Sequence, residues 1–245
     1  MLTAMDRIDQ KSSDGTLAPA SARAIAVLMA AALLWAAWTT IQRGRAESFA
    51  DEVEAAQQTW IAKQRKTGTL PDTSELRTAT AVLDAARGLD AANPRFAELL
   101  GQVYATVSIR SDVVNGFDPR AIGYFAEAVA QRPSSPYAWA NFAWAKYQAG
   151  RIDRELMTAL AHAARLGPWE KEVQLVVVDL GFALWAGSPP SLQATVMTTA
   201  KNAQRYWAKE VAVIAERRGR LAAVCGFELT AATPVCKMLK DEQRG

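Results

Sequence analysis

The feature that most constrains this chain is a run of nineteen residues without a charge, Ala24 to Gln42 (AIAVLMAAALLWAAWTTIQ), bounded by Arg23 and Arg43. As a helix rising about 1.5 Å per residue, such a run approaches the roughly 30 Å hydrocarbon thickness of a bilayer. Trp35 and Trp38 sit towards one end, where indole rings favour the headgroup boundary. A buried core helix seldom runs this long without a charge. A cleaved signal peptide fits poorly as well. The residues before the run carry Asp6, Asp9 and Asp14 instead of a short positive region, and Gly44 and Ala46 make a weak cleavage site. The expectation is a polar, flexible cytoplasmic tail over 1–22 and a retained transmembrane helix over 23–42.

Flanking charge does not orient the segment. Arg7, Lys11 and Arg23 precede it, and Arg43 and Arg45 follow, with Lys63, Arg65 and Lys66 further out, close to a tie by the positive-inside rule. The two cysteines of the chain, Cys225 and Cys236, have ten residues between them, including Pro234. Two readings stand: a disulfide, which needs an oxidising compartment, or two unlinked thiols packed as small hydrophobes. A bridge closing a loop of this size contributes about 3 kcal/mol in the chain-entropy model. The disulfide reading places the body beyond the membrane from a cytoplasmic N-terminus, as in a single-pass protein of a bacterial inner membrane with a periplasmic C-terminal domain.

The rest of the chain predicts an all-α fold. Alanine is abundant, β-branched runs are rare apart from Val176 to Val178, and half the residues are hydrophobic, enough for a core. A juxtamembrane helix is expected within 43–70, with acids early (Glu47, Asp51, Glu52, Glu54) and bases late, ended by Gly68 and Pro71. Asp72, Thr73 and Ser74 offer N-caps for a helix reaching about Leu89. The helical domain is expected over 71–226, followed by a tail over 227–245.

Within it a pattern recurs. Ala121, Phe125, Ala128 and Pro133 match Leu156, Leu160, Ala163 and Pro168 at a constant offset of 35 residues. Each set lines one helical face and ends in proline. With the segment AWANFAWAKYQAGRID, these residues resemble the tetratricopeptide repeat, a helix–turn–helix of about 34 residues. Trp139 stands at the repeat's early tryptophan, Phe142 and Ala143 at its Leu-Gly pair, and Gly150 at its turn glycine. The match is looser elsewhere. The turn containing SDVVNGFDPR is expanded by about eight residues over the repeat length, Leu83 and Ala86 end a degenerate copy, and 169–207 forms a loose third pair, Glu170 to Trp185 and Ser191 to Trp207, before a last helix from Ala208 to Val224. The resemblance implies an antiparallel helical-hairpin solenoid behind a single membrane helix.

The layout also resembles the VpsP-type accessory proteins of bacterial exopolysaccharide biosynthesis, carried by the tail, the one membrane helix, the stretch RPSSPYAWANFAWAKYQAGRID and the two C-terminal cysteines. That resemblance implies a non-catalytic scaffold whose partners are membrane proteins of a polysaccharide synthesis or export machine. The alternative is an assembly factor or chaperone for another inner-membrane complex, such as cytochrome maturation or cell division, and a glycan-active enzyme is the alternative of another class.

A search for chemistry finds no phosphate loop, dinucleotide turn, nucleophile elbow or paired-histidine metal helix. No catalytic residue, metal ligand, cofactor or small-molecule substrate is expected. A net charge of +3 without a long basic run argues against nucleic acid as a partner. His162, the only histidine, reads as a solvated or half-buried helix position. Asp51, Glu52 and Glu54 read as a solvated first turn. Arg217, Arg218 and Arg220 read as a charged helix face, with an anionic polysaccharide as the alternative partner. The candidate partner-binding groove is the aromatic stripe Tyr137, Trp144 and Tyr147, either open to a ligand or packed against the next repeat.

Overall fold

The computed structural model describes residues 19–110 and 117–237, with the side chains of 19, 20, 109 and 110 outside that description. The tail over 1–18, most of the expanded turn (111–116) and the last residues, 238–245, lie outside it. Among the described residues every regular element is helical. The chain divides into two units, Met1–Gly44 and Arg45–Gly245.

The first unit contains the apolar part of α1 (Pro19–Thr67). Its apolar window has a mean hydropathy of 2.0 and none of it is buried. Leu28, Leu33, Leu34 and Trp35 are about 70% exposed. A helix apolar on every side with no protein cover does not have the surface of a soluble protein's core helix. By length and composition it is the one candidate span among the described residues.

The second unit begins with the remainder of α1. There Ala46, Ala50, Val53 and Trp60 are buried on one stripe, packed with α2 (Thr73–Leu89) and α3 (Pro94–Arg110). Gly68, at φ 71°, follows the helix end, in the left-handed region that glycine enters at no steric cost. Of the three offered caps Asp72 is used. Its carboxylate accepts from the Ser74 and Glu75 amides while Glu75 reaches back to the Asp72 amide, a reciprocal capping box.

The 35-residue recurrence reappears as element boundaries. α4 (Pro119–Gln131) and α6 (Arg154–Leu166) differ by 35 at both ends, as do α5 (Pro136–Gln148) and α7 (Lys171–Ala183). Asp118 and Asp153, also 35 apart, cap α4 and α6. Ala121, Phe125, Ala128, Leu156, Leu160 and Ala163 are all buried. The most extensive packing joins α3 to α4, α5 to α6 and α7 to α8 (Pro190–Arg217). These hairpins close tightly for a local reason. A Cβ at Gly101 of α3 would stand 2.6 Å from the Phe125 ring of α4, and one at Gly181 of α7 would collide with Val196 of α8. Between α5 and α6 the chain reverses at Gly150, φ 68°. Buried Lys146 reaches across that turn to Asp153 at 2.8 Å and also pairs with Glu155.

The C-terminal part departs from expectation in two ways. The break expected near Trp207 is present, but as a kink at that residue (φ −129°, ψ 38°) inside α8. The last helix over 208–224 is shorter than expected: α8 ends at Arg217, Gly219 turns with φ 66°, and α9 is Leu221–Cys225. Residues 227–237, expected as tail, are instead folded against α8. Gln204 accepts from the Leu229 and Thr230 amides, buried Thr230 donates to the Val224 carbonyl, and Cys236 is bonded to Cys225 with Cα atoms 5.5 Å apart.

Candidate partner-binding surfaces

The stripe on α5 is held by Ser135, whose hydroxyl caps the helix, and by Pro136, which presets its first turn. Alanines on the opposite side let α5 seat closely in the core. The three aromatics do not form one open groove, because a different neighbour takes up each. Tyr137 donates to the Glu170 carboxylate at 2.5 Å, and that bond, aided by partial burial, pushes its phenol up to about 12. Trp144 meets the Phe117 ring edge-on, with centroids 5.6 Å apart. Tyr147 accepts from Arg218 at 3.3 Å. Between them Asn141 donates to Glu98 of α3 at 2.9 Å. The stripe is largely the seam by which α5 meets its neighbours, and only Tyr137 keeps substantial exposure.

The basic cluster is likewise committed inward. Arg217 and Arg218 both pair with Asp179 of α7, at 2.9 and 2.8 Å, and the Arg220 guanidinium lies 5.1 Å from the Trp185 ring. Burial alone would raise the Asp179 carboxyl, but hydrogen bonds from Arg218 and Arg217 hold it below the usual range. The acidic cluster on α1 is not a free first turn either. Arg95 pairs with Glu47, with Asp51 at 2.6 Å and with Glu54 at 2.8 Å, and Asn93 donates to Glu47. The Glu54 bond, above all, holds the Arg95 guanidinium protonated against partial burial. Glu52 remains exposed.

His162 is half-buried. Its ring stacks on Trp139 with centroids 4.6 Å apart, and Trp139 is fixed by donating to the Pro133 carbonyl at 2.8 Å. Arg165 approaches His162 Nδ1 at 2.8 Å. This stack borders a groove of about 720 Å³ between α6 and α8. Thr158, His162 and Arg165 face it from α6, and Thr195, Thr199 and Asn202 from α8. Both triplets follow i, i+4, i+7 spacing, one stripe per helix. The spacing is visible in the sequence, but only the packing of α6 beside α8 joins the stripes into one site.

A second concavity, of about 290 Å³, collects Glu47, Arg95, Glu98 and Arg132. Burial pushes the Glu98 carboxyl up, opposed by its Asn141 bond and by Arg132. Among the described residues no group of three or more His, Cys, Asp or Glu side chains is placed to hold a metal ion. No protein-family model matches the chain, and no curated protein matches it.

Proposed function

We propose that the protein is a membrane-anchored, non-catalytic adaptor: a single-pass helix that holds a tetratricopeptide-like helical array beside a machine of the bacterial envelope. The observation that carries this reading is the pair of features joined in one chain. An apolar helix without protein cover is followed by helical hairpins whose boundaries recur at 35 residues. Arrays of this kind stack neighbour on neighbour and present extended surfaces for binding. The Cys225–Cys236 bond favours an oxidising compartment, hence a periplasmic body and a cytoplasmic N-terminus in the inner membrane. The resemblance to VpsP-type accessory proteins points to a polysaccharide synthesis or export machine as the partner.

Partner identity is tested by photo-crosslinking in native membranes, with the photoreactive residue placed at exposed Trp169 or Tyr137. Polysaccharide polymerase or export components among the adducts support the proposal. Haem-handling or division proteins in their place would overturn the polysaccharide assignment while keeping the adaptor. Compartment is tested by alkylating membranes with and without reductant: labelling of Cys225 and Cys236 only after reduction is expected, and two free thiols at the outset would remove the argument for a periplasmic body.

A further inference from the structure

The groove between α6 and α8 carries positive charge that no carboxylate among the described residues pairs. None of its lining residues is acidic. Arg154, at the first residue of α6, and Arg165, three turns further on, are exposed and line it. Neither has an ion-pair partner among the described residues. Four other arginines, Arg87, Arg95, Arg120 and Arg218, each sit on a carboxylate. Half-buried Met157 and buried Leu192 give the groove an apolar floor, and the hydroxyls and amide of Thr158, Thr195 and Asn202 supply polar contacts. His162 is held in orientation by the Trp139 stack.

Length and chemistry together select an occupant. A thirteen-residue helix such as α6 is about 20 Å long, the span of about six residues of extended chain. A neutral sugar could lay a C–H face on the Met157–Leu192 floor, but it brings no carboxylate for Arg154 and Arg165. An extended peptide can turn apolar side chains to that floor and carboxylates to the arginines, whose planar guanidinium groups donate to them in a bidentate fork.

We propose that this groove takes an acidic, partly apolar linear segment of a partner protein, its carboxylates held by Arg154 and Arg165 and its apolar side chains laid on Met157 and Leu192. The proposal rests on the adaptor reading and names the kind of segment that reading requires. The interaction is salt-sensitive, because both arginines face solvent.

The test uses the full-length protein in phosphatidylcholine nanodiscs and a fluorescently labelled eight-residue peptide of alternating Glu and Leu, followed by anisotropy. Saturable binding is expected, weakened about tenfold or more in the double variant Arg154→Glu, Arg165→Glu. Ala161→Trp, at an exposed groove position, fills the site while keeping both arginines and weakens binding to a similar extent. Helicity by circular dichroism stays unchanged in all three proteins, and a Lys–Leu peptide of the same length does not bind. The proposal is overturned if the Glu–Leu peptide does not bind, if its affinity is the same in the double variant, or if an oligouronate of equal charge binds more tightly and displaces it. If the membrane crosslinks form normally while the peptide fails, the adaptor stands and the groove assignment falls.

Discussion

Arg95 gathers three carboxylates, Glu47, Asp51 and Glu54, that precede it by more than forty residues. Without it those acids would face one another along a single helix stripe. Arg95→Met should therefore destabilise the body by about 1–2 kcal/mol, the charged-bond value reduced for the solvent around these partly exposed groups, and the loss should shrink in high salt. Thermal melts at two ionic strengths check both. Asp179 carries a pH signature. Its carboxyl titrates below the usual range in the folded state, so its stabilisation is complete above the ordinary carboxylate range and disappears as pH falls through the depressed folded-state value. Asp179→Asn should cost about 1–3 kcal/mol near neutral pH, and the difference from wild type should narrow towards pH 3. Equal destabilisation at both pH values would mean that the charge is not what Asp179 contributes.

At the scale of elements, the hairpins depend on glycines that let helices approach. Gly181→Ala puts a methyl group into Val196, and overpacking of this kind costs about 1–3 kcal/mol. Gly123→Ala, where an added Cβ meets nothing within 4 Å, should be neutral or stabilising in its helix. Melting both variants side by side separates close packing from helix propensity. The C-terminal clasp is the other element-level device. Cys225→Ser should lower stability by about 3 kcal/mol on the loop-entropy account, and it should release 227–237 to proteolysis, since that segment is otherwise tied by hydrogen bonds to Gln204 and Val224. Persistent protection of the segment in the reduced protein would show that those bonds suffice.

For the whole molecule, the division at Gly44 and Arg45 makes a direct prediction. A chain comprising residues 45–245 should be soluble without detergent and as helical as the same region of the intact protein, because its two apolar clusters are complete without the apolar N-terminal segment. The intact protein should resist alkaline carbonate extraction from membranes and yield only to detergent. Far-ultraviolet dichroism of the fragment and fractionation of the full chain are the measurements. Aggregation of the fragment would mean that residues before Arg45 complete its core.

Local and periodic features were legible without coordinates: the uncharged run of α1, an N-cap among Asp72, Thr73 and Ser74, the ends at Gly68 and Gly150, and the 35-residue offset that returned as helix boundaries. Each depends on neighbours within a turn or two, or on a spacing that the chain itself repeats. The roles of the charged and aromatic side chains were not legible. Tyr137, Trp144 and Tyr147 lie on one helical stripe, yet Glu170, Phe117 and Arg218 claim them. Arg217 and Arg218 pair with Asp179, while Arg154 and Arg165 line a groove with no ion-pair partner among the described residues. Whether a side chain serves as a partner's contact or as internal seam is decided by residues 27 to 71 positions away, and only the packed helices bring those within contact.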